Sequence, residues 1–223
     1  MKAVLCDIEG TTTSISFAHQ VLFPISYERI ESFVRNHRDP IPEEIQSVKN
    51  ATSVSSIEEV IVVLKRWIEE DRKEGALKSI QGKIWKEAFE AGQIKGHVYP
   101  DVPIHFKKWH GLGIRIGIFS SGSVEAQKLI FRFSEAGDLT PYIDDYFDTK
   151  TGPKKESHSY QRIAEKLQLP ASTILFLSDV TAELDAAAQA GMRTTLLLRE
   201  GTAPPAANQH PTALTFDEIE IQD

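Results

Sequence analysis

Four short apolar runs in this chain each stop abruptly at polar residues, and that pattern constrains the fold more than any other feature. Residues 2–6 halt at Asp7, and Ile114–Phe119 ends at Ser120-Ser121-Gly122. Thr173–Leu177 ends at Ser178-Asp179, and Thr194–Leu198 ends near Gly201. None of the four alternates polar with apolar, so they read as strands covered on both faces. Helical patterns lie between the later runs. Val124–Phe133 follows Ser123, a good N-cap, with Gly137 just past its end. Ser157–Leu167 stops before Pro170, and the Ala-rich stretch Ala182–Ala190 ends at Gly191.

Strand and helix alternating in this order predict an α/β domain, a Rossmann-like parallel sheet with helices on both faces. Residues 17–96 break the rhythm. Ile57, Val60, Ile61, Leu64, Trp67 and Ile68 recur at helical spacing, as do Leu77, Ile80, Ile84, Trp85 and Phe89. A helical stretch of that length is too long for an ordinary connection. The expected organisation is therefore an α/β core of residues 1–16 and 97–223, interrupted by an all-helical inserted domain of residues 17–96. The last twenty or so residues, with Ala203-Pro204-Pro205-Ala206-Ala207, read as loop and a loosely held end.

Composition narrows the partners. A formal charge of -7 and a pI near 5.5 argue against nucleic acid or an anionic membrane surface, both of which select clustered Lys and Arg. A small phosphorylated molecule is not disfavoured, because local groups hold it. The lone Cys6 allows no intrachain disulfide and suits a reducing compartment. No stretch is long enough to span a bilayer and no signal peptide is apparent, so a cytoplasmic protein is expected, monomeric by default.

Ligands of open parallel sheets bind outside the carboxyl ends of the strands. At or near those ends fall Asp7 with Glu9, Ser120 with Ser121, Lys154, and Asp179. Phosphoryl transfer to water needs such a set. One carboxylate attacks phosphorus and splits a hard displacement into two easier ones. A second protonates the leaving oxygen and then takes a proton from water. Acidic oxygens suit Mg²⁺, while a hydroxyl and a lysine hold the other phosphate oxygens. Each residue alone also has a bland reading: turn former, strand end, helix cap or surface lysine. Their joint order after these strands favours the chemistry.

Asp7-Ile8-Glu9-Gly10-Thr11 resembles the first motif of the haloacid dehalogenase-like superfamily, normally Asp-x-Asp-Gly-Thr. The run into Ser120 resembles its second motif, Lys154 its third, and Ser178-Asp179 its fourth; the helical insertion is placed like that superfamily's cap domain. Glu9 departs from the usual Asp. Together with Phe119-Ser120-Ser121-Gly122-Ser123-Val124-Glu125-Ala126-Gln127, Phe147-Asp148-Thr149-Lys150 and Phe176-Leu177-Ser178-Asp179-Val180-Thr181, it is similar to one family, the enolase-phosphatases of methionine salvage.

The resemblance implies a bifunctional enzyme that enolises 2,3-diketo-5-methylthiopentyl-1-phosphate and then removes its phosphate to give the acireductone. It implies Asp7 as nucleophile with Glu9 as second catalytic residue. It also implies one Mg²⁺ on Asp7, Glu9 and Asp179, and substrate held by Ser120, Ser121 and Lys154. The base for enolisation stays open among Lys154, Glu9 and residues of the helical insertion. A capped phosphatase or phosphomutase acting on another small phosphate ester is the alternative. A dehalogenase would not need the metal-binding acids. A phospho-acceptor module of the response-regulator type has no place for the helical insertion, and its acceptor lies in mid-sheet. Cys6 is expected to point away from Asp7 into the core. The seven histidines show no zinc-like spacing, His105 and His110 being five apart. Trp67, Trp85 and Trp109 read as packing residues.

Overall fold

The computed structural model describes residues 1–37, 41–199 and 203–221. It divides into two compact units, Met1–Ile15 with Gly96–Asp223, and Ser16–Lys95.

In the first unit, β1 (Ala3–Cys6), β2 (Arg115–Phe119), β3 (Asp145–Phe147), β4 (Ile174–Ser178), β5 (Arg193–Leu197) and β6 (Thr212–Ala213) form one sheet in the order β3-β2-β1-β4-β5-β6. Every pairing is parallel. β1 is central and its four residues are all buried, as are the five of β4. Cys6 pairs with both Ile118 and Leu177, so the polar residues after β1, β2 and β4 emerge side by side. The chain order reverses at β1, where open α/β sheets bind their ligands.

Alternation along β1 divides the core. Ala3 and Leu5 join a buried cluster with Phe119, Phe147, Phe176 and Leu196. The helices α8 (Ser157–Leu167) and α9 (Thr181–Gln189) add Tyr160, Ile163 and Leu184 to it. A separate aromatic group joins Phe106 and Trp109 of α6 (Asp101–Gly111), Phe131 of α7 (Val124–Arg132), and Phe216. Each fully buried side chain of this size stabilises by about 1.5–3 kcal/mol, so these clusters carry much of the fold. Cys6 is fully buried, and burial pushes its thiol pKa up, which makes it an inert core residue.

The sheet holds more than the apolar runs announced. β3 is a three-residue edge strand, Asp-Tyr-Phe, too short and polar to stand out. α6, with Pro103 in its first turn, comes in the chain immediately before β2. The tail corrects the expectation of a loose end. β6 pairs with β5 through Leu196–Thr212 and Leu197–Ala213, and Phe216 is 0% exposed. The pairing with β5 and the burial of Ala213 and Phe216 tie the end of the chain to the core.

The second unit is helical: the end of the short turn α1 (Ile15–Phe17), a π turn over Ala18–Leu22, then α2 (Phe23–His37), α3 (Pro42–Thr52), α4 (Ile57–Glu69) and α5 (Gly75–Glu90). Its own core includes Ile30, Phe33, Val48, Leu64, Trp67 and Ile80. α4 starts with a capping box, in which Ser56 Oγ accepts the Glu59 N–H and the Glu59 carboxylate accepts the Ser56 N–H. Trp85 is partly buried, and its indole N–H donates to Leu22 O at 2.9 Å and Ser26 Oγ at 2.7 Å. Among the described residues, no helix is long and apolar enough to cross a membrane.

Candidate active site

β1 delivers Asp7 to the carboxyl edge of the sheet, where its backbone N–H still donates to Leu177 O of β4 at 2.9 Å. The chain then folds tightly. The N–H groups of Thr11, Thr12 and Thr13 all donate to Ile8 O, and Gly10 N–H returns to Thr13 O at 2.7 Å. Thr12 Oγ1 donates to Asp7 O at 3.0 Å, and the Ile8 N–H donates to Asp7 Oδ1 at 2.7 Å. This turn needs glycine at its apex. Gly10 has φ +69°, and a Cβ there would lie 2.2 Å from Asp179 Oδ2. The Asp179 carboxyl, delivered by the end of β4, is thus seated directly against the loop that carries Asp7 and Glu9.

Lys154 comes from the loop after β3. Its Nζ lies 2.6 Å from Asp7 Oδ1 and 2.6 Å from Glu183 Oε2, with a side chain only 10% exposed. Tyr160 of α8 donates its hydroxyl to Lys154 O at 2.7 Å, and Ser159 donates to Pro153 O at 2.7 Å, so α8 fixes the loop's path. Burial works against the ammonium, but the charges of Asp7 and Glu183 outweigh it and its pKa is raised. Glu183 is held in turn by Ser178, whose hydroxyl donates to Oε2 at 3.1 Å. Burial, and then the nearby Asp7, raise the Glu183 pKa against the opposing pull of Lys154.

β2 supplies the serines. Ser120 is buried, its N–H donates to Phe147 O at 3.2 Å, and its Oγ accepts the Gly122 N–H at 3.2 Å. Ser121 follows, half-buried. Gln127 of α7 ties this turn to β3, donating to Gly122 O at 2.9 Å and Phe147 O at 2.8 Å.

Of the six residues singled out from sequence, the structure therefore joins Asp7 directly to Lys154 and sets Asp179 against the Gly10 turn. Ser120 and Ser121 stand at the end of the neighbouring strand, and Glu9 is exposed. Glu183 was missed. An acid in the first turn of an Ala-rich helix looks like a solvated group favoured by the helix dipole, and Asp185 beside it is indeed exposed. Only the fold distinguishes the two.

The donor set fits a magnesium ion. Burial, and next the charge of Asp7, push the Asp179 carboxyl up to about 7, as expected of acids crowded together with too little positive charge. Among the described residues, no three His, Cys, Asp or Glu side chains are grouped closely enough to enclose an ion by themselves. Mg²⁺ does not require that. It keeps several waters and binds through one or two carboxylates plus substrate phosphate, which the Asp7 and Asp179 pair matches.

The model for haloacid dehalogenase-like hydrolases matches residues 1–191. The chain belongs to that family. Curated relatives place it further: it is 46% identical to enolase-phosphatase E1 of Marinobacter nauticus, over 99% of this chain and 97% of that one. It is 47% identical to enolase-phosphatase E1 of Sorangium cellulosum, over 98% and 97%. The crystal structure of the UTR4 protein of Saccharomyces cerevisiae superimposes with a TM-score of 0.82 at 35% identity, covering 98% of this chain and 99% of that one. The present chain is a phosphatase of the enolase-phosphatase group within the haloacid dehalogenase-like hydrolases.

Proposed function

We propose that the enzyme acts in methionine salvage on 2,3-diketo-5-methylthiopentyl-1-phosphate, first enolising the diketone and then releasing phosphate to leave the acireductone. The observation that carries the phosphoryl-transfer half is the buried Lys154 ammonium 2.6 Å from Asp7 Oδ1, at the carboxyl edge of the central strand.

The Asp7 carboxylate attacks phosphorus, forming an acyl-phosphate bond as the bond from phosphorus to the enol oxygen breaks. Glu9 donates a proton to that leaving oxygen. Glu9 then takes a proton from water, whose oxygen attacks the acyl phosphate and frees Asp7 and inorganic phosphate. Lys154 and the serines after β2 hold phosphate oxygens against the developing charge. Asp7 and Asp179, with Glu9 as third candidate ligand, would hold magnesium, whose charge would offset repulsion between nucleophile and phosphate.

Lys154 already faces two carboxylates and serves as a charge partner, so we assign the base for enolisation to Glu9, whose side chain is exposed. A glutamate reaches further than the usual aspartate, which lets one carboxyl serve both half-reactions. The helical segment 17–96 is placed in the chain like a cap domain, and we assign substrate choice to it.

The test follows ultraviolet absorbance of the enol and phosphate release together, with Mg²⁺ and the diketo phosphate. A transient enol signal followed by phosphate is expected, and Asp7→Asn should keep the first and lose the second. Phosphate release from simple esters without turnover of the diketone would overturn the substrate while leaving the phosphatase.

A further inference from the structure

Arg199, just beyond β5, is buried and reaches back to the loop that follows Asp7. Its side chain is 3% exposed, and its Nε donates to Thr11 O at 2.8 Å while its Nη1 donates to Asp101 Oδ2 at 2.7 Å. The guanidinium lies 4.4 Å from the centre of the Tyr99 ring and 4.6 Å from that of Phe216. Asp101 Oδ2 also accepts the Phe216 N–H at 2.6 Å, and Tyr99 N–H donates to Thr12 O at 3.0 Å. Two consecutive carbonyls of the loop are thereby held, Thr11 O by Arg199 just after β5 and Thr12 O by the Tyr99 N–H just ahead of α6.

An ion pair with Asp101 alone would serve the fold and would need no more than a point charge. The bond from Nε to Thr11 O is an additional contact, and it requires the fixed fork of a guanidinium, which presents two donors at a set angle. Thr11 is one residue beyond Gly10 and two beyond Glu9. Its N–H closes the turn on Ile8 O, so holding its carbonyl sets the pitch of the whole turn.

We propose that Arg199 is a positioning residue for phosphoryl transfer: through Thr11 O it fixes the Glu9-Gly10 turn relative to Asp7 and Asp179. This rests on the assignment of Asp7 and Glu9 to the chemistry. Asp101, which accepts from both Arg199 Nη1 and the Phe216 main-chain N–H, orients the guanidinium, while the Phe216 side chain supplies only apolar cover.

Arg199→Lys keeps the charge for Asp101 but not the fork. Phe216→Leu serves as the stability control, because it keeps the apolar fill and the main-chain donor to Asp101. Thermal midpoint, kcat and KM for phosphate release, and amide hydrogen exchange over residues 8–13 are measured for both. For Arg199→Lys, kcat should fall roughly ten- to a hundred-fold, the range a small misplacement of reacting groups produces, with KM little changed. Exchange at Thr11–Thr13 should quicken while Val4–Cys6 stay protected. Phe216→Leu should lower the thermal midpoint with kcat near wild type. If Arg199→Lys only lowers the thermal midpoint, or shifts KM alone, or leaves exchange in the turn unchanged, the proposal fails. Should the lysine variant not fold, Arg199→Gln is read by the same measurements. The two readings separate cleanly: Asp7→Asn judges the nucleophile, whereas exchange in the turn judges Arg199 whatever the substrate proves to be.

Discussion

Glu183 holds Lys154, Oε2 to Nζ at 2.6 Å, while the same ammonium meets Asp7 Oδ1 at 2.6 Å. Lysine has three donors and a flexible stem, so a single carboxylate would leave it free to swing. Two buried carboxylates define where it stands.

Glu183→Gln tests that relationship. The amide oxygen can still accept from Ser178, but the charge that steadies Lys154 is gone. Removing one partner of a buried charged pair is costly, and because Lys154 keeps Asp7 the loss should be about 1–3 kcal/mol in denaturant unfolding. Phosphate release should slow with it. A variant of wild-type stability and rate would show that Asp7 alone positions the lysine.

Gly10→Ala probes the seat of Asp179. A left-handed backbone costs an L-residue roughly 1–2 kcal/mol, and the added methyl would also collide with Asp179 Oδ2, 2.2 Å from the ideal Cβ position. Asp179 must move or the turn must open. The expected outcome is a higher Mg²⁺ concentration for half-maximal phosphate release along with the loss of stability. An unchanged metal requirement would separate the turn from the metal-binding acids.

Asp7 and Asp179 were legible because each interrupts a continuous apolar run, and a run buried on both faces can end only where the sheet does. Tertiary partnerships were not legible. Glu183 and Asp185 are two acids on one short helix, yet only Glu183 turns inward toward Lys154. β3 carries too few residues for a period to show, and β6 is held by backbone pairing that leaves no side-chain pattern. Arg199 resembles any polar residue after a strand until its contact with Thr11, 188 positions away, is known. Local periodicity records which face of an element is apolar, not which distant group a charge will meet.

Metal binding should also appear as stability. A ligand that binds only the folded state adds about 2.7 kcal/mol at a hundred times its dissociation constant. Thermal melts of the wild type should therefore rise with Mg²⁺. Asp179→Asn, which removes a buried charge crowded by Asp7, should raise the melting point without metal and lose most of the dependence on Mg²⁺. Chelator should silence phosphate release, with Ca²⁺ a poor substitute because of its looser coordination. A full Mg²⁺ response in the asparagine variant would assign the metal elsewhere.

The helical unit offers a change remote from the chemistry. Ser56 accepts the Glu59 N–H at 3.2 Å, and Glu59 Oε2 accepts the N–H groups of Ser56 at 2.9 Å and Ser55 at 3.0 Å. Ser56→Ala removes the first of these bonds and should cost about 1 kcal/mol, the usual worth of an N-cap. The Glu59 bonds respond to pH instead. The Ser56 and then the Ser55 N–H hold its carboxyl below the ordinary value, so its contribution is present above the unfolded carboxyl pKa and fades as pH falls through the lowered folded one. Amide exchange at Ser55 and Ser56 should therefore lose protection on acidification in the wild type. In Ser56→Ala, exchange over the first turn of α4 should be faster at neutral pH as well. Equal protection of that turn in both proteins would mean that the core residues Val60, Ile61 and Leu64 fix the start of α4 without its cap.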